Sequence, residues 1–166
     1  MNSPGDSARV SVQVAVKSSV AFEVFTREID LWWRKGPAYR IGGRNPGQLN
    51  FEPGLGGRLF ETCRMDGELR TFEVGRVTAW EPPTLLAFEW KGVNFAPNET
   101  TLVEVRFIPQ GDGTLVSLVH SGWSAIPENH PARHGAAGPE FSRTLGLWWG
   151  GLMSSLRHHL QTRSVS

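Results

Sequence analysis

His120 and Glu61 are the two titratable side chains that a strand pattern directs inward. His120 falls in phase with Val116 and Leu118, and Glu61 with Leu59 and Cys63. Alternate residues of a strand share a face, so each polar group follows its apolar neighbours toward a core. A buried imidazole needs a partner, because an unpaired polar group costs roughly 1–3 kcal/mol. It is therefore either a satisfied core histidine or a group that anchors a ligand or moves a proton. A buried carboxylate loses its hydration and needs a cation to stay charged, unless a one-residue bulge turns it to solvent. If both face one cavity, they form an acid/base pair.

Other chemical candidates are weaker. His130 and His134 are four apart, a metal-ligand spacing on a helix, but Pro131 stands between them and no third ligand is evident. No metal is expected. His158 and His159 fall in the last turns of a terminal helix, where cations suit its dipole. Gly54-Leu55-Gly56-Gly57 lacks the Lys-Ser/Thr of a phosphate loop and precedes a strand, so it reads as a turn. Ser121-Gly122-Trp123-Ser124 lacks the context of a nucleophile elbow. Cys63 reads as an inert buried thiol, and as the chain's one cysteine it excludes an internal disulfide.

The elements that position these residues follow from periodicity. Val10, Val12, Val14 and Val16 alternate with polar or small residues, a half-buried strand. Ser18 or Ser19 is placed to cap a helix. Phe22, Phe25, Ile29 and Trp33 then predict a helical pair over about 19–34, ended by Gly36-Pro37. Residues 36–50 have no apolar period and read as a loop, folded over something. Strands are predicted near 48–52, 57–64 and 69–80, and then around Leu86–Trp90, Val103–Phe107 and Val116–His120. Gln110-Gly111-Asp112-Gly113 is a hairpin turn. Phe141, Leu145, Trp149, Met153, Leu156 and Leu160 step by three and four, an amphipathic helix over about 140–162. Gly146, Gly150 and Gly151 weaken that helix by about 1 kcal/mol each, which predicts close packing against a sheet.

The order of strand, helix pair, six strands and long helix argues for an α+β domain with an antiparallel sheet. One domain over residues 9–162 is expected, with 1–8 and 163–166 as flexible tails. The chain has 166 residues and a formal charge of +1, with no clustered basic patch for nucleic acid. It shows neither a signal-peptide pattern nor an apolar run of the ~20 residues that span a bilayer. No nucleic-acid binding and no membrane insertion are expected, and a cytoplasmic location is. Seven Trp and nine Phe predict an aromatic-walled core or cavity.

Five segments in order resemble one family. They are Asp30-Leu31-Trp32-Trp33 with Gly36-Pro37; Glu52 to Glu61 around Gly56-Gly57-Arg58; and Gly75-Arg76-Val77 with Trp80-Glu81-Pro82-Pro83 and Leu86, Phe88 and Trp90. Gly113-Thr114 leading to His120-Ser121-Gly122-Trp123 is the fourth, and Trp149 with Met153, Leu156 and Leu160 the fifth. Together they resemble the activator-of-heat-shock-protein-90-ATPase-homologue-like branch of the START/SRPBCC (polyketide cyclase) superfamily. The 36–50 segment is longer and richer in Arg and Gly than that pattern. The resemblance implies a helix-grip fold: a curved sheet of six to seven strands round the C-terminal helix, with an apolar cavity between them.

Strand and helix phase then assign Trp33, Leu59, Glu61, Phe88, Trp90 and Val105 to the cavity wall. Phe107, Leu118, His120, Trp149 and Met153 join them. The leading expectation is non-catalytic binding of a small apolar or amphipathic molecule, with no cofactor. The alternatives are a protein-interaction domain like the co-chaperone, with a protein partner, and a cyclase/aromatase-type enzyme using His120 and Glu61.

Overall fold

The computed structural model describes residues 6–163 except 46, 92–94, 134 and 137. Seven strands form one antiparallel sheet: β1 (Ala8–Val14), β2 (Gly47–Phe51), β3 (Arg58–Met65), β4 (Glu68–Glu81), β5 (Leu85–Trp90), β6 (Thr101–Gln110) and β7 (Gly113–Ser121). Their order is β1-β7-β6-β5-β4-β3-β2, with every neighbour antiparallel. Helices α1 (Ser18–Arg27) and α2 (Ile29–Trp32) follow β1, and α3 (Gly138–Arg163) closes the chain. This is the helix-grip α+β fold: each strand but β1 and β2 is paired on both sides, and α3 lays its apolar stripe into the sheet.

The stripe is buried as its period requires. Phe141, Leu145, Trp149, Leu152, Met153, Leu156 and Leu160 face the core. Opposite them lie Phe107, which meets Phe22 and Phe25 at 5.2 and 5.8 Å between ring centroids, and Phe88, which meets Phe51 at 5.2 Å. The centre of the grip is therefore filled by interlocked side chains.

Several local expectations are corrected. The cap of α1 is Lys17, with no side-chain cap; the Ser18 hydroxyl instead meets that of Thr114 at 3.2 Å. Strand β1 starts at Ala8, inside the stretch expected as a loose leader. Asp6, already buried, accepts from the Ser124 amide at 3.0 Å. Gly146 and Gly150 do not mark close packing against the sheet, since a methyl group on either would meet nothing within 4 Å. Gly151 does sit under neighbours, but these are the Tyr39 hydroxyl and the Arg34 guanidinium, not the sheet.

Candidate functional site

The cavity lies at one end of the grip, where loops rather than strands close it. It has a volume of about 340 Å³. One wall is Trp33 and the following loop, from Pro37 to Ile41. The sheet contributes Leu49, Glu61, Val74, Trp90 and His120, and Lys91 follows directly after β5. Phe95, Trp123 and Ala132 close the far side, and Phe141, Thr144, Leu145 and Trp148 of α3 form the last wall. Exposed Pro37, Ala38 and Thr144 mark the mouth.

Its aromatic walls brace one another. Trp33 stacks on Trp90 at 6.1 Å and meets Trp148 and Trp149 edge-on at 5.8 and 5.6 Å. Trp148 stacks on Tyr39 at 5.4 Å. Such offset and edge contacts suit the ring quadrupoles and hold an open surface rigid.

The loop of residues 36–45 is pinned from beneath. Buried Arg40 reaches three backbone carbonyls, those of Asp30, Trp33 and Arg34, and pairs with the Asp30 carboxylate at 2.7 Å. Partial burial pushes the Asp30 carboxyl up, but Arg40 and the Leu49 amide hold it below the usual range. Glu61 accepts from the amides of Ile41 and Gly42 at 3.0 and 2.6 Å. Trp33 and Trp148 donate their indole N–H groups to the Tyr39 and Ala38 carbonyls, at 3.0 and 2.7 Å.

Glu61 is indeed buried, although the β3–β4 register shifts between Leu59 and Phe60. Its partners are backbone amides, neither a cation nor solvent. His120 is held on both nitrogens. Trp149 Nε1 donates to its Nδ1 at 3.0 Å, and its Nε2 lies 2.7 Å from Thr101 Oγ1. An indole N–H only donates, so Nδ1 is bare and Nε2 carries the hydrogen. Thr101 accepts it and passes its own hydroxyl to the Trp90 carbonyl at 3.2 Å. Complete burial pushes the imidazole down to about 3, so it stays neutral at physiological pH. This is the satisfied core histidine, and no hydrogen bond joins it to Glu61.

Of the residues assigned to the wall from strand and helix phase, the structure brings Trp33, Glu61, Trp90 and His120 to the cavity. Leu59, Phe88, Val105, Phe107, Leu118, Trp149 and Met153 face inward as expected but lie outside its lining. Each is at most 1% exposed and packed in the solid core. Phase gives the inward direction, not whether the space there is filled. The lining residues missed are mostly on loops: Tyr39, Ile41, Phe95 and Trp123 belong to no apolar period. Trp148 was legible only as an aromatic one place off the α3 stripe.

Trp123 carries one more feature. Its indole nitrogen is the buried side-chain polar atom left without a partner among the described residues. Its ring packs on Phe141 at 4.7 Å and His120 at 5.3 Å, and edge-on to Phe95 at 5.7 Å. His130 accepts from the Ala132 amide and bonds Glu99 at 3.0 Å, tying the two loops of this end together. His134, four residues on, lies outside the described residues, and no group of three or more side chains that could hold a metal ion exists among those described.

Comparison with known proteins follows this geometry. The family described as Activator of Hsp90 ATPase homolog 1-like protein matches residues 15–145, more than half the chain. The chain belongs to this family. Among solved structures, the anthrahydroquino-γ-pyrone synthase Txn09 is 27% identical, with a TM-score of 0.58 over 95% of this chain and 99% of that one. An HSP90 activator from Plasmodium falciparum is 19% identical, with a TM-score of 0.64 over 94% and 96%. A Cytophaga hutchinsonii protein solved in solution is 10% identical and covers both chains fully at 0.67. Likeness at the last two identities speaks for the fold. No curated protein sequence matches this chain significantly. No helix among the described residues is long and apolar enough to cross a membrane.

Proposed function

We propose that this family member binds a small, largely apolar molecule in the end cavity without transforming it. The observation that supports this reading is a space of about 340 Å³ walled by Trp33, Trp90, Trp148, Tyr39 and Phe95. Ligand sites usually run to ~300–1,000 Å³ with apolar walls and few polar groups. The three buried titratable groups of the lining are each engaged within the protein: His120 by Trp149 and Thr101, Glu61 by two amides, and Arg40 by Asp30. That supports binding over proton transfer, which needs a group free to reach the substrate.

The synthase Txn09 gives the enzymatic reading some weight, but the acid/base pair it would need here has both members held. For a co-chaperone-like role the family name is the main support. The exposed large apolar side chains, Leu31, Leu55, Leu69, Ile108 and Leu147, lie on five separate segments. Native mass spectrometry of the freshly purified protein, with a fluorescence titration by the neutral dye N-phenyl-1-naphthylamine, tests the reading. We expect one molecule bound per chain, with Trp90→Ala weakening dye uptake. The absence of both a co-purified molecule and saturable dye binding would refute it.

A further inference from the structure

The cavity's polar groups divide unevenly between its two sides. On the side of the 36–42 loop every charge is countered: Arg40 by Asp30, and Glu61 by two amides. On the side closed by Phe95 one ammonium has no carboxylate partner and one indole N–H has no acceptor among the described residues. Lys91 Nζ donates to the Pro97 carbonyl at 2.8 Å, and no carboxylate among the described residues pairs with it. Trp123 Nε1 is buried with no acceptor among the described residues. Phe95 links them: it lies between Lys91 and Pro97 in sequence, and its ring packs 5.7 Å from that of Trp123.

A buried donor without an acceptor is rare in a folded protein and calls for an explanation. An ammonium without a counter-ion at the solvent-facing rim of an apolar cavity favours negative charge there.

Resting on the cavity reading above, we infer that the ligand is an amphipathic organic anion. Its apolar body lies among Trp33, Trp90 and Trp148. Its acidic head, a carboxylate or sulfonate, pairs with Lys91 and accepts from Trp123 Nε1, with the Phe95 ring shifting to admit it.

A matched dye pair tests this. 8-Anilinonaphthalene-1-sulfonate and N-phenyl-1-naphthylamine share one aromatic body and differ by the sulfonate. The sulfonate dye is expected to bind about tenfold more tightly, the range of a charge-assisted hydrogen bond at a partly shielded site. Lys91→Met should erase that difference, read as the ratio of the two dyes' affinities in the same variant. In ¹⁵N-labelled protein, the Trp123 indole N–H resonance should move downfield with the sulfonate dye alone. Equal binding of the two dyes by the unmodified protein, or an affinity ratio untouched by Lys91→Met, overturns the inference while the cavity reading stands. A Trp123 resonance that moves equally with both dyes removes Trp123 from the head-group site. If neither dye binds, both readings fall.

Discussion

Replacing His120 by Phe separates a structural imidazole from a ligand anchor, and pH makes the separation sharp. At neutral pH the variant leaves Trp149 Nε1 without its acceptor and removes the ring that bonds Thr101. One orphaned buried donor costs roughly 1–3 kcal/mol, so the variant should be less stable by that amount with or without ligand. Below pH 6.5 the order changes. The unfolded chain takes up a proton on His120 near the ordinary imidazole value of 6.5, whereas the folded ring resists one until about 3. The folded state therefore binds fewer protons, and stability falls as pH drops through 6.5, levelling off below about 3. The slope is about 1.4 kcal/mol per pH unit, or about 2 kcal/mol between pH 7.5 and pH 5. The Phe variant lacks this loss. The carboxylates held below their usual range, Asp6 and Glu28 among them, titrate in both proteins and cancel in the difference. Urea unfolding of both proteins from pH 7.5 to pH 5 should show the stability gap closing by about 2 kcal/mol. Parallel curves would show that the folded ring protonates freely, and the buried network drawn here would be wrong.

The remaining predictions concern packing and the loop wall. Trp149→Ala should leave a void behind His120 and cost about 3–5 kcal/mol in denaturant unfolding; a loss below about 1 kcal/mol would contradict the filled core. Gly146→Ala and Gly150→Ala meet open space and should each stabilise by about 0.5–1 kcal/mol. Gly151→Ala should gain less, because a methyl there sits 2.8 Å from the Tyr39 hydroxyl; equal gains at all three positions would show that Tyr39 moves freely. Glu61→Gln turns an amide N–H₂ toward one of its two backbone donors, so trypsin should cut faster at the exposed Arg44 of the loop. An unchanged cleavage rate would mean that Glu61 does not hold the wall.

Most of the fold was readable because it rests on repetition. Alternating Val residues, the run from Val116 to His120 and the stripe from Phe141 to Leu160 each state which side is buried, and burial fixed the sheet and helix. Phase also placed His120 and Glu61 inward correctly. It failed at the next step, where inward had to be divided into filled and hollow. Phe88, Phe107 and Leu118 carry the same signal as Trp90, yet only Trp90 borders empty space. That outcome depends on which side chains arrive from α1, α3 and the loops, and no period connects Tyr39, Phe95 or Trp123 to a strand. Ser18 was misread for a related reason: a hydroxyl beside a helix start can cap it or reach across to Thr114, and only the fold brings Thr114 near.

The way the cavity loops are fastened bears on how such a site can change. Arg40 donates to the carbonyls of Asp30, Trp33 and Arg34; Glu61 accepts from the amides of Ile41 and Gly42. On the opposite side, buried Arg133 donates to the carbonyls of Trp123, Ile126 and Pro127 and lies over the Phe141 ring at 4.9 Å. These clasps address backbone groups, which nearly every residue type provides. Cavity-facing positions such as Ala38, Ile41, Phe95 and Ala132 can therefore be substituted without loosening the loops that carry them. The filled core beneath, from Phe22 to Leu118, has no such freedom, because each ring there is matched in shape to its neighbours. A binding specificity can thus shift through the wall residues while the grip round α3 stays fixed, which is consistent with one fold serving both a synthase and a heat-shock-protein activator.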